Sequence, residues 1–298
     1  MRDSGGSRVR PSRELAKAKL NLTLKVIGRR ADGFHEIESL VAFAALGDEV
    51  ELEPGRAFGL SIDGPFAGAL SGHNLIETAA AAIKTAVPEL KLGHFRLHKV
   101  LPVAAGLGGG SADAAAALRL LARANPGMID PRALRAVALR AGSDVTACLE
   151  NRPVLMTGRG EIVTPVKGMP ACGVLLANPG AKLETKAVYE ALKAPPAPPH
   201  LPSPRALDLG DSFDALIDYA SERGNDLEPV ALNLEPAIGE VLDRLSRLTG
   251  ARLVRLSGSG PTCFALFASE YEAKRAGAEL AAARPEWWVA ASTLGASR

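Results

Sequence analysis

Alternating apolar and polar residues predict strands along much of the chain. Over positions 20–26 every second residue is leucine or valine and the residues between are polar, which is the period of a half-buried strand. Positions 94–99 repeat the pattern, with Phe95 and Leu97 on one face. Between these strands, Asp32-Gly33 marks a turn within a polar loop. Further strands are predicted around Val41 and at 49–53, 153–156, 173–177, 252–256 and 263–267.

Capping residues and helical spacing predict helices between these strands. Asn74 begins a helix that ends before Pro88, and Asp130 begins another that has Pro131 in its first turn and ends at Gly142. Other helices are predicted at 111–124, 185–192, 212–221 and 237–248, followed by a last helix and strand. This mixed order of elements predicts an α+β fold.

The composition argues against several classes of function. The chain has 298 residues, of which 47% are apolar, and 35 basic residues oppose 33 acidic ones for a net charge of +2. Because the charge is small and only 4% of residues are aromatic, a nucleic-acid surface is not expected. Cys148, Cys172 and Cys263 are few and far apart, which argues against disulfides or a zinc site and fits the cytoplasm. No apolar run is long enough to cross a bilayer, so no membrane contact is predicted.

The strongest candidate for chemistry is a glycine loop between a predicted strand and helix. It comprises Pro102, Val103, Ala104, Ala105, Gly106, Leu107, Gly108, Gly109, Gly110 and Ser111. Glycine lets another group approach the backbone closely, and the helix that follows offers unpaired N–H groups and the positive end of its dipole. The loop therefore predicts a site for a phosphate group.

Two familiar phosphate motifs do not fit this loop. A Walker A loop is excluded because no Gly-Lys-Ser/Thr follows the glycines. A dinucleotide fingerprint is a poor match, since Ser111 stands at the third glycine position and Asp130 is better explained as a helix cap. A tight turn remains the alternative to anion binding. Ser111 and Asp113 are interpreted either as helix caps or as groups that hold Mg²⁺ beside a phosphate, with capping favoured for Asp113.

Single residues elsewhere have a structural and a chemical interpretation. Lys19 and Asn21 share one face of a strand, although a lysine at a strand start is usually just solvated. Asp144 lies in a polar turn, where it is either an N-cap or a base for an alcohol in phosphoryl transfer. Phe34 and His35 are either packed on the surface or arranged to stack on a base and hydrogen-bond its edge.

Two further segments carry weaker signals. The loop at 257–262 joins two predicted strands and is either a tight hairpin or a shaped binding loop. Residues 194–204 include six prolines and are predicted to be an extended, passive surface segment.

Taken together, these motifs resemble the GHMP kinase superfamily, from about Ala16 to the C-terminus. The most specific is P-V-A-A-G-L-G-G-G-S-A-D at 102–113. The others are A-K-L-N-L at 18–22, R-A-D-G-F-H at 30–35, A-G-S-D-V at 141–145, N-P-G at 178–180, N-D-L-E-P at 225–229 and L-S-G-S-G-P-T at 256–262. The R-x-D-G-F-H loop separates this chain from homoserine, mevalonate and galactose kinases. The chain departs from the family pattern at Lys17 and Thr146, where proline is usual.

The resemblance implies a two-domain α+β kinase with its active site in the interdomain cleft. A basic, disordered tail at 1–13 would precede an ATP-binding domain at 14–165 and a C-terminal domain at 166–298. The enzyme would use ATP and Mg²⁺ to phosphorylate an alcohol on a small molecule that carries a cytidine diphosphate group. It would be cytoplasmic, monomeric or homodimeric, and would bind neither nucleic acid nor membrane. The alternatives are a kinase for homoserine or mevalonate, or a non-catalytic nucleotide-binding regulator.

The resemblance also implies roles for individual residues. Asp144 would accept the proton of the substrate hydroxyl, and Lys19 beside it would stabilise charge near the transferred phosphoryl group. The glycine loop, Gly106 to Ser111 above all, would wrap the ATP phosphates. The expected substrate contacts are Asn21, Phe34, His35, Thr185, Tyr189, Ser257, Gly258 and Ser259, with His35 on the cytosine edge and Phe34 and Tyr189 packed around that ring.

Overall fold

The computed structural model describes residues 11–199 and 206–295. The first sheet has seven strands, in the order β4-β5-β3-β6-β7 with β1 and β2 also paired to β3. Its strands are β1 (Ser12–Asn21), β2 (Lys25–Arg29), β3 (His35–Glu53), β4 (Gly59–Asp63), β5 (His94–His98), β6 (Val154–Gly158) and β7 (Ile162–Pro165). Only the β4–β5 pair among these described strands is parallel.

The second sheet is a four-stranded antiparallel sheet in the order β11-β8-β10-β9. It is formed by β8 (Cys172–Asn178), β9 (Leu253–Leu256), β10 (Cys263–Phe267) and β11 (Trp288–Leu294). The chain therefore passes from one sheet to the other between residues 165 and 172. The domain boundary expected at 165/166 falls at this change of sheet and stays a prediction.

Nine α-helices lie in the described part of the chain, with one 3₁₀ turn at Ala67–Ala69. They are α1 (Leu75–Ala86), α2 (Gly109–Ala124), α3 (Pro131–Ala141), α4 (Ser143–Glu150), α5 (Thr185–Leu192), α6 (Phe213–Arg223), α7 (Glu228–Leu234), α8 (Ala237–Ser246) and α9 (Glu270–Ala283). The side chains of Asn74 and Asp130 accept hydrogen bonds from the starts of α1 and α3, which confirms both predicted caps. None of the described helices is long and apolar enough to span a membrane.

Three hydrophobic clusters stack the elements into four layers. Helices α1 to α4 pack on one face of the first sheet, and α5, α7, α8 and α9 pack on the outer face of the second. The middle cluster lies between the two sheets. Alternate residues of β3 enter different clusters: Val41 and Phe43 face the helices, whereas Leu40 and Ala42 face the second sheet. Because both faces of the central strands are covered, the two sheets share one interior.

The structure corrects the predicted strand pattern near the N-terminus. Residues 1–10 of the predicted tail lie outside the described residues, but Ser12 and Arg13 already pair with β3. The strand predicted at 20–26 is divided between β1 and β2, and its polar residues Asn21 and Thr23 are buried rather than solvent-facing. The prediction of a half-buried strand was therefore wrong at these positions, because other parts of the protein cover its polar face.

The two strands predicted around 41 and at 49–53 are one continuous strand, β3. The sequence Gly47-Asp48 favours a turn, yet both residues pair within the sheet. A Cβ on Gly47 would lie 2.0 Å from the carbonyl oxygen of Ala16, so glycine is required where β1 pairs with β3 at this point. The carboxylate of Asp48 is buried and accepts hydrogen bonds from the N–H groups of Val100 and Leu101.

Other elements differ from the sequence prediction in place or in kind. The polar turn predicted at 142–144 is the start of α4, which holds Asp144 in its first turn. Helix α7 and strands β4 and β7 were missed. In the proline-rich segment, residues 200–204 lie outside the described residues, while residues 195–197 hydrogen-bond to the edge of β2.

Candidate active site

Three polar side chains meet where β1 ends beside the first turn of α4. Lys19 and Asn21 are two residues apart on β1, so both side chains leave the same face of the strand. The Lys19 ammonium lies 2.9 Å from Asp144 Oδ2 and donates to Asn21 Oδ1, also at 2.9 Å. The amide of Asn21 donates to the Ser39 hydroxyl at 2.7 Å, which fixes which way Asn21 points. The structure therefore brings together the residues expected to act as base, cation and substrate contact.

Burial makes this arrangement electrostatically strong. The Lys19 side chain is 5% exposed, whereas that of Asp144 is 35% exposed. A lysine withdrawn from water interacts strongly with the groups that face it, because few water molecules screen the charge. The backbone N–H of Lys19 donates to Leu107 O at 2.8 Å, so the same strand also holds the glycine loop.

The glycine loop adopts the conformation expected of an anion site. Gly106 and Gly108 have positive φ angles of 76° and 61°, and α2 begins directly after Gly108. No side chain among the described residues caps the start of α2. Its first N–H groups are thus left for an anion. The helix-cap interpretation of Ser111 and Asp113 was wrong, since the N-cap position belongs to Gly108 and α2 begins two residues earlier than predicted.

The 257–262 loop is both a tight hairpin and a shaped wall for the glycine loop. Ser257 Oγ donates to Gly106 O at 2.9 Å, and Thr262 N donates to Ala105 O at 3.2 Å. A Cβ on Gly106 would lie 2.5 Å from Ser257 O, so the two backbones touch directly. Asn225 fixes the other side of the hairpin by donating to Leu256 O and Gly258 O.

Aromatic and basic side chains form a slot at the far end of the cleft. The rings of His35 and Tyr189 have centroids 4.8 Å apart at an interplanar angle of 33°. Phe34, which is 52% exposed, lies under the guanidinium of Arg159 at 4.8 Å. Below the slot, the hydroxyls of Thr185 and Ser259 are 2.8 Å apart. These contacts unite residues from β3, α5 and the 257–262 loop.

The two ring-bearing side chains His35 and Tyr189 are neutral near pH 7. Burial, with a smaller effect of the Arg29 charge, lowers the pKa of His35 below its usual 6.5. Burial, with a smaller effect of the Asp144 carboxylate, raises the pKa of the Tyr189 hydroxyl, which stays protonated. A neutral imidazole presents one hydrogen-bond donor and one acceptor, as recognition of a nucleobase edge requires.

One cleft of about 940 Å³ joins all of these features. Lys19, Asn21, Asp144, the slot and most of the glycine loop line it. Ser257 and Leu107 are buried and do not line the cleft, and their expected contacts with substrate and ATP stay predictions. Ser257 supports the glycine loop, and Leu107 contributes its carbonyl to β1 and its side chain to the core.

Sequence reasoning missed a buried ionic cluster beneath the glycine loop. Lys99 Nζ donates to Asp48 Oδ2 at 2.5 Å and to Asp113 Oδ2 at 2.7 Å, and all three side chains are at most 3% exposed. Burial, opposed by the Lys99 charge, raises the pKa of Asp113 to about 7. Burial lowers the pKa of Lys99, but Asp113 and Asp48 outweigh that effect and raise it overall. The cluster ties β3 and the end of β5 to α2, below the phosphate site.

Two other residues of the slot also went unassigned. The sequence motifs assigned no role to Arg159 or Arg29, although both line the cleft. The only signal in the sequence was the positive charge of the two arginines, which suits a site for a phosphorylated ligand. Their proximity to the slot depends on chain reversals that the local pattern does not encode.

Comparison with known proteins places this geometry in a family. Residues 74–152 match the family described as GHMP kinases N terminal domain, and residues 207–286 match GHMP kinases C terminal. The 4-diphosphocytidyl-2-C-methyl-D-erythritol kinase of Bradyrhizobium sp. strain BTAi1 is 47% identical over 95% of this chain and 97% of its own. The kinase of the same name from Parvibaculum lavamentivorans is 43% identical over 96% of this chain and 99% of its own.

The chain belongs to the 4-diphosphocytidyl-2-C-methyl-D-erythritol kinase family. A crystal structure of 4-(cytidine 5'-diphospho)-2C-methyl-D-erythritol kinase superposes with a TM-score of 0.76 at 33% identity, covering 96% of this chain and all of that one. Homoserine kinase from Cytophaga hutchinsonii superposes with a TM-score of 0.71 at 18% identity, covering 96% of each chain, and shows the shared fold alone.

Membership in this kinase family confirms the resemblance stated from the motifs, the α+β GHMP fold and the use of ATP. The two departures at Lys17 and Thr146 leave the fold intact: β1 runs through Lys17, and α4 runs through Thr146. Thr146 Oγ1 is buried with no hydrogen-bond partner among the described residues. A hydroxyl in place of a family proline therefore sits two residues from Asp144 without a polar contact there.

Proposed function

We propose that this kinase transfers the γ-phosphoryl group of ATP to the 2-hydroxyl of 4-diphosphocytidyl-2-C-methyl-D-erythritol, in the non-mevalonate route to isoprenoid precursors. The observation that carries the proposal is the Lys19–Asp144 pair at 2.9 Å, which lies between the glycine loop and the aromatic slot. A phosphate on one side and a nucleobase on the other would meet at this pair. The names of the 43–47% identical relatives support the same substrate.

The chemistry follows from the positions of the two charged groups. The substrate hydroxyl loses its proton to the Asp144 carboxylate as its oxygen forms a bond to the γ-phosphorus. The bond between that phosphorus and the β–γ bridging oxygen breaks, and ADP leaves with the electron pair of this bond. Such a transfer has a loose transition state, so it needs positioning and charge stabilisation more than a strong base. Lys19 supplies a fixed positive charge, and the N–H groups at the start of α2 hold the phosphates.

The slot accounts for the cytidine diphosphate part of the substrate. His35 and Tyr189 offer flat surfaces with polar edges for the base, and Phe34 with Arg159 closes one side. Arg29, Arg159, Lys186 and Lys193 all line the cleft, where a diphosphate needs positive charge. Thr185 and Ser259 line the same cleft, with their hydroxyls 2.8 Å apart.

Magnesium would complete the ATP site. Among the described residues, no group of three His, Cys, Asp or Glu side chains is arranged to hold a metal ion. Mg²⁺ in kinases is commonly held by phosphates and water with few protein ligands, and this donor set fits that mode. Ser111, in the first turn of α2 and lining the cleft, is the residue that would contact it. The bound ion would neutralise charge on the ATP phosphates.

ADP release measured across a panel of alcohols tests the proposal. The panel contains 4-diphosphocytidyl-2-C-methyl-D-erythritol, homoserine and mevalonate, each with ATP and Mg²⁺. Turnover is expected with the cytidylated alcohol alone, because homoserine and mevalonate carry no base that could occupy the slot. Turnover with homoserine or mevalonate instead would support the runner-up kinases, and no turnover with any alcohol would support a nucleotide-binding regulator.

A further inference from the structure

The start of the proline-rich segment is hydrogen-bonded into the fold, contrary to its expected passive role. Residues 194–197, here called the proline strap, directly follow α5 and its terminal Lys193. Arg29 N donates to Pro195 O at 2.7 Å, and Ala197 N donates to Arg29 O at 2.8 Å. The strap thus runs parallel to the edge of β2 for a short distance.

Arg29 is the backbone link between the strap and the slot. On one side its backbone pairs with Pro196 of the strap, and on the other it pairs with His35 at the start of β3. Neighbouring strands lie about 4.8 Å apart, so the strap sits roughly two strand spacings from His35. A displacement of the strap is passed to His35 through one residue.

Tyr189, whose ring packs against that of His35, is connected to the same strap through α5. Tyr189 lies on this eight-residue helix, and its ring faces His35 with centroids 4.8 Å apart. Helix α5 also starts at Thr185, which contacts Ser259. The contacts therefore form a closed ring that runs from the strap through Arg29 and His35 to Tyr189 and back along α5. In this ring, the strap connects the segment that carries His35 with the helix that carries Tyr189.

Close packing and proline chemistry make this connection stiff. A Cβ on Gly28 would lie 2.5 Å from Ala197 Cα and 2.9 Å from Pro195 O, so the strap lies directly against β2. Proline at 195 and 196 fixes φ and removes two N–H donors, which leaves Ala197 N as the strap's donor to Arg29. Few alternative registers or bends are open to such a segment.

We infer that the proline strap sets the separation of His35 and Tyr189 and thereby positions the slot for its base. The inference rests on the proposed function, because it assumes that the slot receives the cytosine of the substrate. The strap's backbone hydrogen bonds go to Arg29 and not to the glycine loop or Asp144, so its effect is on recognition of the cytidylated substrate rather than on phosphoryl transfer. Pro195 and Pro196 are positioning residues in this sense.

A double substitution tests the inference with a matched control in the same segment. Pro195→Gly with Pro196→Gly loosens the strap, whereas Pro198→Gly with Pro199→Gly makes the same chemical change just beyond its hydrogen bonds. The first pair is expected to raise the KM for the cytidylated alcohol and the Kd for CDP about tenfold, with the KM for ATP and kcat within about twofold. The second pair is expected to leave all four values within about twofold of the wild type.

Two measurements separate the possible failures. CDP binding by calorimetry needs no catalysis, so a wild-type chain that does not bind CDP contradicts the proposed function itself. A wild-type chain that binds CDP, with a Pro195→Gly/Pro196→Gly variant that binds equally well, overturns the strap inference alone. Equal increases in the KM for ATP and for the alcohol also overturn it. If the double variant fails to fold, Gly28→Ala, which pushes the strap from β2, is compared with Gly239→Ala, whose Cβ makes only ordinary contact at 3.5 Å.

Discussion

The ammonium of Lys19 lies 2.9 Å from the carboxylate of Asp144, although the two residues are far apart in the sequence and belong to different elements. Lys19 is held by β1 and by the Asn21 amide, while Asp144 is held by the first turn of α4. Because the lysine is buried and the aspartate is partly exposed, the pair presents its carboxylate to the cleft. On the proposed function, an incoming alcohol would meet the Asp144 carboxylate before the Lys19 ammonium.

Asp144→Asn is expected to lower kcat by about 10²–10⁴-fold, the usual contribution of a positioned acid or base. The amide keeps the shape of the side chain and a polar contact with Lys19 but accepts no proton. The Kd for ATP is expected to stay within about threefold, because the proposed phosphate site is the start of α2 and not Asp144. Single-turnover kinetics and ATP titration measure the two effects. Near-normal turnover would remove Asp144 from the role of base, and Asp243→Asn on the exposed face of α8 is the control.

His35→Ala is expected to raise the KM for the cytidylated alcohol about tenfold or more while the KM for ATP stays within about twofold. The imidazole is neutral near pH 7 and packs against Tyr189, so its loss removes both a hydrogen-bonding edge and one wall of the slot. Steady-state kinetics with each substrate varied in turn gives the two constants. An equal rise in both would place His35 outside the base slot. The control is His94→Ala on β5, which removes an imidazole whose hydrogen bond among the described residues is to the Ser61 hydroxyl.

Gly106→Ala is expected to weaken ATP binding and stability more than Gly127→Ala does. Both glycines have a φ of 76°, so each substitution costs roughly 1 kcal/mol of backbone strain. At Gly106 the new Cβ lies 2.5 Å from the carbonyl oxygen of Ser257. A Cβ on Gly127 has no heavy atom of the described residues within 4 Å apart from its own residue and chain neighbours. Urea unfolding and ATP titration of both variants measure the difference. Similar results at the two positions would contradict the direct contact of the two loops.

The raised pKa of Asp113 predicts a specific dependence of stability on pH. In the folded chain the pKa of this carboxyl is about 7, against an ordinary value of 3.8. Between these two pH values the folded chain therefore keeps a proton on Asp113 that the unfolded chain has lost. Its contribution to the free energy of unfolding is full below the ordinary pKa and is lost as the pH rises through about 7. Asp113→Asn removes this dependence.

Urea unfolding of the wild type and Asp113→Asn in metal-free buffer, from about pH 5 to 8, measures the effect. The stability of the wild type relative to the variant is expected to fall as the pH rises across this range and then level off. A constant difference, or one that grows with pH, would contradict the raised pKa. Asp243→Asn again serves as the control, since its partner Arg247 is on the surface.

The local features of the fold could be predicted from the sequence because neighbouring residues determine them. Asn74 and Asp130 accept hydrogen bonds from N–H groups two residues ahead. The glycine loop lies between a strand and a helix, as its sequence predicts. The helix at Thr185–Leu192 begins and ends as predicted. The predicted break between the strands around 41 and at 49–53 was wrong, because Gly47 pairs with Lys17 of β1 inside one continuous strand, which the local pattern does not encode.

The site could be assembled from the sequence only through the resemblance to a family. Lys19, Asp144 and His35 were named from motifs, and their residue roles stay predictions that the kinetics above test. The cluster of Asp48, Lys99 and Asp113 was missed because Lys99 ends a predicted strand and Asp48 lies in an apparent turn. Their pairing arises only when β3 and β5 align, with Glu49 opposite His98.

The contact between the glycine loop and the 257–262 hairpin has a consequence for the order in which the enzyme is made. Synthesis proceeds from the N-terminus, and N-terminal elements generally fold first. The glycine loop leaves the ribosome well before Ser257 and Thr262, which brace it in the finished fold. A nascent chain therefore carries the complete sequence of its phosphate loop while the loop still lacks its support. We therefore expect the ability to hold a nucleotide to be acquired late in translation, together with the hairpin.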